Sequence, residues 1–180
     1  RVHRWETLGT GAERGDGTVL GQVIREIDLA NWLFARPPTD VYAVGRGQSN
    51  GDLDRPGYVQ VHLGFPDGGM AMIDYSMTLP QGAGYFSLSL IGSAGAAYAD
   101  DHHNMNLLYR GGVPFAVNPG HGQGHTPAQL QEFVDAVQEE REPAVTGADG
   151  RTAVQVAQAA VESMTSEGVA RLAGGSYEVT

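Results

Sequence analysis

The chain has 180 residues, with 11 basic and 21 acidic side chains, a formal net charge of -10 and no cysteine. One domain of this length buries about 70% of its unfolded surface without a disulfide or metal, and the lack of cysteine excludes thiolate zinc sites, redox CxxC motifs and cysteine nucleophiles. The acidic balance and the singly scattered basic residues, all arginine, argue against a nucleic-acid partner. Apolar stretches end well before the roughly 18 residues of a membrane span, so we expect a cytoplasmic protein with no membrane partner.

The first part of the chain predicts a strand, a helix and a second strand. Val2 to Glu6 alternates in character, as a strand with one solvent-facing side does. From Thr18 to Phe34 the apolar residues recur at spacings of three and four, which predicts a helix. Arg36-Pro37-Pro38 ends this helix because proline cannot donate to its hydrogen-bond ladder, and Val41 to Arg46 is predicted as a strand.

The middle of the chain changes to a period of two, which is typical of strands. Four segments show this alternation: Tyr58–Leu63, Met70–Tyr75, Tyr85–Leu90 and Asn106–Tyr109. Pro66-Asp67-Gly68-Gly69 has the composition of a turn and joins the first two segments as a hairpin. The pattern predicts an unbroken, meandering antiparallel sheet.

Two helices and a closing strand are predicted after the sheet. Thr126-Pro127-Ala128-Gln129 has the spacing of a capping box with proline at the first helical position. A stripe expected to face the core follows it: Leu130, Phe133, Val134 and Val137. Asp149 or Thr152 begins the second helix, Gly168 ends it, and Val169 to Leu172 forms the strand.

The order of these elements predicts an α+β fold, with an open, mostly antiparallel sheet and helices packed on one face. No internal repeat and no long linker divides the sequence. We therefore expect a single domain over residues 1–180.

Arg25 and Asp28 stand three residues apart on the first predicted helix. The simpler interpretation is a surface ion pair, which would contribute about 0.2 to 0.5 kcal/mol. The alternative is that one helix face presents Gly21, Arg25 and Asp28 to a cleft, where Asp28 accepts hydrogen bonds from substrate hydroxyls. The position of the helix in the fold decides between them.

Two other segments carry residue types suited to ligand binding. Gly9 to Gly15 has the glycine content of a phosphate-binding loop, but the strand before it is too polar for a buried Rossmann strand, so no cofactor-binding residue is predicted. Asp100 to His103 and His121 to His125 hold four of the six histidines. Adjacent histidines on a strand point to opposite faces, and the glycines that flank His121 and His125 give no rigid ligand geometry, so no metal site is predicted. His121 or His125 alone is a candidate pocket residue, because histidine titrates near neutrality.

Taken in order, the segments resemble the C-terminal domain of the Gfo/Idh/MocA oxidoreductases, a group that includes glucose-fructose oxidoreductase and inositol dehydrogenase. Residues 23–33, VIREIDLANWL, resemble the family's helix of the form IHEIDLARWL, and residues 65–71 and 91–96 resemble its F-x-x-G-x-x-A hairpin and G-x-x-G turn. Three closing segments resemble the family's last motifs: Leu130–Val137, Pro143–Gly150 and Val156–Ser163. The similarity runs from Arg1 to about Leu172.

The resemblance implies a sheet whose helices face a nucleotide-binding domain and whose other face makes a homo-oligomer. Family members oxidise or reduce a hydroxyl carbon of a sugar, cyclitol or similar small molecule with NAD or NADP. We therefore expect a small-molecule substrate, and a Rossmann domain in cis or trans that binds the cofactor. That domain, with its glycine fingerprint and catalytic lysine, is missing from this sequence.

The chain also departs from the family on the catalytic helix. The family places an aspartate, a histidine four residues later and an aspartate three beyond, where this chain has Gly21, Arg25 and Asp28. Glycine cannot move a proton and arginine stays charged, so no catalytic residue is named and the chain alone is not expected to be active. Tyr85 matches a position where related dehydrogenases hold a tyrosine near the substrate.

Five residues are therefore expected to bind substrate: Arg25, Asp28, Tyr85, His121 and His125. The alternative is a stand-alone, non-catalytic module for ligand binding or assembly, which kept the fold and lost the catalytic aspartate and histidine.

Overall fold

The computed structural model describes residues 1–7, 19–47, 56–79, 84–100, 105–109, 115–117 and 125–180. Within these residues ten strands form one sheet: β1 (Val2–Thr7), β2 (Asp40–Gly47), β3 (Pro56–Gly64), β4 (Met70–Leu79), β5 (Tyr85–Gly92), β6 (Gly95–Asp100), β7 (Met105–Tyr109), β8 (Phe115–Val117), β9 (Ala170–Ala173) and β10 (Ser176–Val179). The three α-helices of this part of the chain are α1 (Ile24–Phe34), α2 (His125–Gln138) and α3 (Gly147–Ser166).

The strands lie in the order β10-β9-β2-β3-β4-β1-β5-β6-β7-β8. Neighbouring strands are antiparallel except β1 and β4, which run parallel with Val2 opposite Ile73. The predicted α+β fold with an open, mostly antiparallel sheet is confirmed. The prediction of an unbroken meander is wrong, because β1 is inserted between β4 and β5 and pairs Val2 with Leu88 of β5.

One face of the sheet carries the core. Along β3 the side chains of Val59, Val61 and Leu63 are buried, whereas Tyr58 and His62, which alternate with them, are exposed on the other face. α1 and α3 cover the buried side and pack against each other and against β2 and β4. These two helices therefore lie on one face, and the opposite side is called here the open face.

α1 buries Ile27 and Ala30 against this core, as its spacing predicts. A π-helical turn, Val19–Val23, precedes it and contains Gly21. The helix ends at Ala35, whose left-handed backbone (φ 54°) lets its amide bond back to the last turn. This end lies just ahead of the two prolines, as the sequence indicates.

α3 begins two residues before the position predicted from Asp149. Thr146 is its N-cap, and the Thr146 hydroxyl accepts from the amides of Ala148 and Asp149 at 3.2 and 3.4 Å. In return the Asp149 carboxylate accepts from the Thr146 amide at 2.7 Å, which completes a capping box. Asp149 is therefore the third residue of the helix and is fixed at its start.

The prediction that the apolar stripe of α2 faces the core is wrong. Leu130 is 62% exposed and Phe133 67%, and Val134 and Val137 are exposed beside them. Periodicity shows that one side of a helix is apolar, but it does not show which surface covers that side. Neither α2 nor the other described helices contain a stretch long and apolar enough to cross a membrane.

Candidate functional site

A surface cleft of about 660 Å³ lies between α1 and the start of α3. Arg25, Asp28 and Trp32 line it from α1, and Asp149 and Thr152 line it from α3. The structure thus brings together the two substrate-binding residues predicted on the first helix. They share one side of α1, opposite the side that packs into the core.

Arg25 and Asp28 do not pair with each other. Arg25 is exposed and Asp28 is half-buried, and within the described ranges neither side chain has a hydrogen-bond or ion-pair partner. The simpler interpretation of their spacing, a surface ion pair, is therefore not what the structure shows. Both charged groups remain available to a ligand.

The two carboxylates of the cleft differ in their electrostatic surroundings. Burial raises the pKa of Asp28, and the neighbouring negative charge of Asp149 raises it further. The pKa of Asp149 is lowered by hydrogen bonds from the Thr146 side chain and backbone. Asp149 is therefore a stable anion that caps a helix, whereas Asp28 is a more basic carboxylate with free lone pairs.

Most of the lining residues were not predicted as site residues, among them Asn31, Trp32 and Asp149. Trp32 is 71% exposed, and four residues separate it from Asp28 on the same side of the helix, a spacing that could have identified it. Both polar atoms of the Asn31 side chain are shielded from solvent, and no described group bonds to them. Asp149 reaches the cleft only because α3 packs against α1, which no local pattern reveals.

Tyr85 lies on the open face, away from the cleft. It stands opposite Trp5 in the β1–β5 pair, and the two ring centroids are 5.5 Å apart. Trp5 shares its side of β1 with His3, whereas Arg4 between them points to α1 and bonds to Glu26. The sheet therefore separates Tyr85 from Arg25 and Asp28, and its contact with substrate stays a prediction.

The histidine segments fall largely outside the structure. His121 lies outside the described residues, as do residues 101–104, and His125 is described only as the first residue of α2. In the ranges that are described, no three His, Asp or Glu side chains cluster as a metal site requires.

The open face has a charged centre of its own at Asp74. This residue is only 2% exposed, and its carboxylate accepts from Tyr58 Oη at 2.8 Å, Gln60 Nε2 at 2.6 Å and Arg1 Nη2 at 3.1 Å. Burial raises the pKa of Asp74, but the hydrogen bonds from Gln60, Tyr58 and Arg1 outweigh it, so the net change is downward. Exposed aromatic side chains surround this centre: Trp5, Tyr42, Tyr58 and Tyr98.

Comparison with known proteins identifies the fold. A family model for the Gfo/Idh/MocA enzymes, described as "Oxidoreductase family, C-terminal alpha/beta domain", matches residues 3–172. No curated protein matches this chain in sequence.

Solved structures match with the same architecture. UDP-N-acetylglucosamine 3-dehydrogenase GnnA from Acidithiobacillus ferrooxidans has a TM-score of 0.78 at 19% identity, over 92% of this chain and 52% of that one. A complex of levoglucosan dehydrogenase with NADH has a TM-score of 0.79 at 15% identity, over 96% of this chain and 57% of that one. Aldose-aldose oxidoreductase from Caulobacter crescentus, complexed with glycerol, has a TM-score of 0.70 at 18% identity, over 95% and 55%.

The chain spans about half the length of these structures. The match over residues 3–172 covers the described helices and, apart from one end residue each of β1 and β9, every described strand but the last. The chain belongs to the Gfo/Idh/MocA oxidoreductase family and corresponds to its C-terminal α/β domain.

Proposed function

We propose that this chain is the substrate-binding and oligomer-forming part of an NAD(P)-dependent oxidoreductase that acts on a sugar, cyclitol or similar hydroxylated small molecule. The observation that carries the proposal is the unpaired Asp28 carboxylate in the α1–α3 cleft. A partly desolvated carboxylate with free lone pairs forms strong hydrogen bonds with hydroxyl donors. It also holds the position of the family's last helix aspartate.

Asp28 has two tasks in this proposal. It accepts hydrogen bonds from neighbouring hydroxyls and so fixes the orientation of the ring. Gly21 has no side chain and Arg25 stays protonated, so Asp28 is the one of the three helix positions that can take a proton. Its raised pKa makes it a better base than an exposed aspartate.

The cleft itself does not fit a nicotinamide dinucleotide. The first amides of α3 already donate to Thr146, so they are not free to bind a pyrophosphate. We therefore assign cofactor binding to a Rossmann domain, in cis or trans, and no residue described here to the cofactor.

Two apolar surfaces of the described chain are exposed, and we assign each of them to a different partner. The stripe of α2 lies exposed on the chain, and large exposed apolar patches mark interaction sites. We assign this stripe to the nucleotide-binding domain. The aromatic open face is assigned to a second copy of the chain, since the saturated Asp74 centre lets it be buried without an unpaired charge.

The second candidate function is a stand-alone module that binds a ligand without turning it over. The replacement of the family's catalytic aspartate and histidine by Gly21 and Arg25 favours it. In that case the cleft would bind its ligand tightly with no help from a nucleotide-binding domain.

An NMR titration of the isotope-labelled chain tests the proposal. Neutral sugars, cyclitols, uronic acids and NAD(P)H are added separately, and we expect a hydroxylated ligand to bind with a Kd of about 1 mM, equivalent to about -4 kcal/mol. The amide shifts should be confined to α1 and the start of α3. NAD(P)H should cause none, because its site lies on the other domain.

Matched variants make the result specific. Asp28→Asn should abolish the shifts, and Asp135→Asn on α2 should leave them unchanged. The absence of shifts at the cleft with every ligand would overturn the proposal. Micromolar binding of a sugar by the isolated chain would favour the stand-alone module.

A further inference from the structure

Trp32 is a large aromatic side chain that the core does not use. It is 71% exposed, whereas Ile27 and Ala30 of the same helix are buried. Its ring makes no aromatic contact in the part of the chain that the structure describes. The indole lies outside the core cluster of the described residues, and it lines the same cleft as Asp28.

The helix sets the distance between the indole and the carboxylate. Residues four apart on a helix have Cβ atoms about 5 to 6 Å apart, and Asp28 and Trp32 both line the cleft, so they are neighbours along its wall. The faces of an indole are electron-rich and attract the weakly positive C–H hydrogens on one side of a sugar ring. A ring that stacks on Trp32 can therefore direct hydroxyls at its edge to Asp28.

Arg25 lies on the other side of Asp28 along the helix. Its guanidinium is exposed and bonds to neither carboxylate of the cleft, and no other described group pairs with it. A guanidinium binds a carboxylate or phosphate through two parallel hydrogen bonds. From Arg25 to Trp32 the helix rises about 10 Å, so the three side chains form a row of positive charge, hydroxyl acceptor and apolar platform.

We propose that this row binds an anionic sugar: Trp32 stacks under the ring, Asp28 accepts from its hydroxyls, and Arg25 binds its carboxylate or phosphate substituent. The inference rests on the proposed function and goes beyond it by naming the substrate class and assigning Trp32 as the platform. An anionic sugar pairs with the Arg25 guanidinium, whereas a neutral cyclitol would leave that guanidinium unpaired.

Tryptophan fluorescence reports directly on this contact. The chain has two tryptophans, and Trp5→Phe on the open face leaves Trp32 as the single emitter. Glucuronate and glucose 6-phosphate are titrated as the two sources of anionic charge, with glucose, myo-inositol, acetate and inorganic phosphate as comparisons. We expect the anionic sugars to change Trp32 emission, and to bind about tenfold more tightly than glucose.

Variants separate the contributions. Arg25→Gln should lower the affinity for anionic sugars about tenfold and leave glucose unchanged, whereas Arg151→Gln, an exposed arginine of α3 outside the cleft, should change neither. Trp32→Leu, followed by NMR, should weaken neutral and anionic sugars alike.

The outcomes that overturn this inference differ from those that overturn the proposed function. Equal affinity for glucose and glucuronate defeats the assignment of an anionic sugar. Unchanged Trp32 emission while a sugar shifts the amides around Asp28 defeats the assignment of Trp32 as the platform. Either result overturns this inference but leaves the proposed function in place. Acetate or inorganic phosphate binding as tightly as the sugar anions shows a simple anion site and also defeats it. No sugar binding at the cleft defeats both.

Discussion

Two aspartates on opposite sides of the sheet show how one side chain serves two purposes. Asp74 on the open face receives donors from Tyr58, Gln60 and Arg1, and its pKa is lowered. Asp28 in the cleft receives no donor from the described chain, and its pKa is raised. A carboxylate whose lone pairs are filled by its own protein stabilises a surface, whereas an unfilled one is available to a ligand.

The arginines repeat this contrast. Arg4 of β1 reaches under α1 to the carboxylate of Glu26, which is 2% exposed, and its guanidinium lies 4.7 Å from the centre of the Phe86 ring. Arg25, next to Glu26 in sequence, points to solvent and has no described partner. Of these two adjacent residues on α1, Glu26 therefore belongs to a structural ion pair and Arg25 to the candidate site.

The largest expected effect is the loss of the buried ion pair. Arg4→Ala leaves the Glu26 carboxylate buried without its partner, which should lower the free energy of unfolding by about 3 kcal/mol, at the low end for a buried pair because Arg4 is partly exposed. Arg25→Ala is the matched control and should change it by less than about 0.5 kcal/mol. Urea denaturation measures both, and equal effects would contradict the contrast.

A smaller difference is expected between the two aspartates. Asp74→Asn removes the negative charge to which three side chains donate hydrogen bonds. It should lower the free energy of unfolding by about 1.5 to 3 kcal/mol, the usual contribution of a hydrogen bond to a charged group. Asp28→Asn removes a charge that burial and Asp149 disfavour, so the variant should be as stable as the parent or slightly more stable. If Asp28→Asn destabilises as much as Asp74→Asn, then Asp28 has a structural partner.

The third prediction concerns association. A charge placed among the aromatic residues of the open face, as in Tyr42→Glu, should weaken self-association at least about tenfold, since a charge buried in an interface without a partner is costly. Trp32→Glu in the cleft should leave self-association unchanged. Sedimentation equilibrium compares the two variants. Loss of the oligomer in Trp32→Glu alone would move the interface to the helical side.

Much of the fold and part of the site follow from the sequence. The alternation in Tyr58–Leu63 gives the strand and its two faces, and the 3.6-residue period gives α1. Asp28 was singled out as a candidate by its spacing from Arg25 and by the resemblance of the helix to a family motif that includes its position. In each case the signal is local, so neighbouring residues suffice to predict the element.

The features that sequence reasoning did not supply depend on contacts distant in sequence. The side of the sheet on which Tyr85 lies is fixed only by its register with Trp5, and a one-residue change in register would move it to the other face. The insertion of β1 beside β4 leaves no mark in either strand. The stripe of α2 is visible in the sequence, but the surface that covers it is not.

The smallest effect, and the most diagnostic, is the pH dependence of the two aspartates. The folded pKa of Asp74 lies below the ordinary value of 3.8, so its ionisation stabilises the fold above that value and this stability is lost as the pH falls through the folded pKa. The folded pKa of Asp28 lies above 3.8, so its contribution is present below that value and is lost as the pH rises through the folded pKa. The loss of unfolding free energy caused by Asp74→Asn should therefore become smaller as the pH falls. The unfolding free energy of Asp28→Asn, relative to that of the parent, should increase as the pH rises from 3 to 7. Urea unfolding over that range measures, for each variant, the slope against pH of its unfolding free energy relative to the parent, with Asp135→Asn as the control. Slopes of the same sign for Asp74→Asn and Asp28→Asn would show that the two carboxylates do not differ in the way their partners imply.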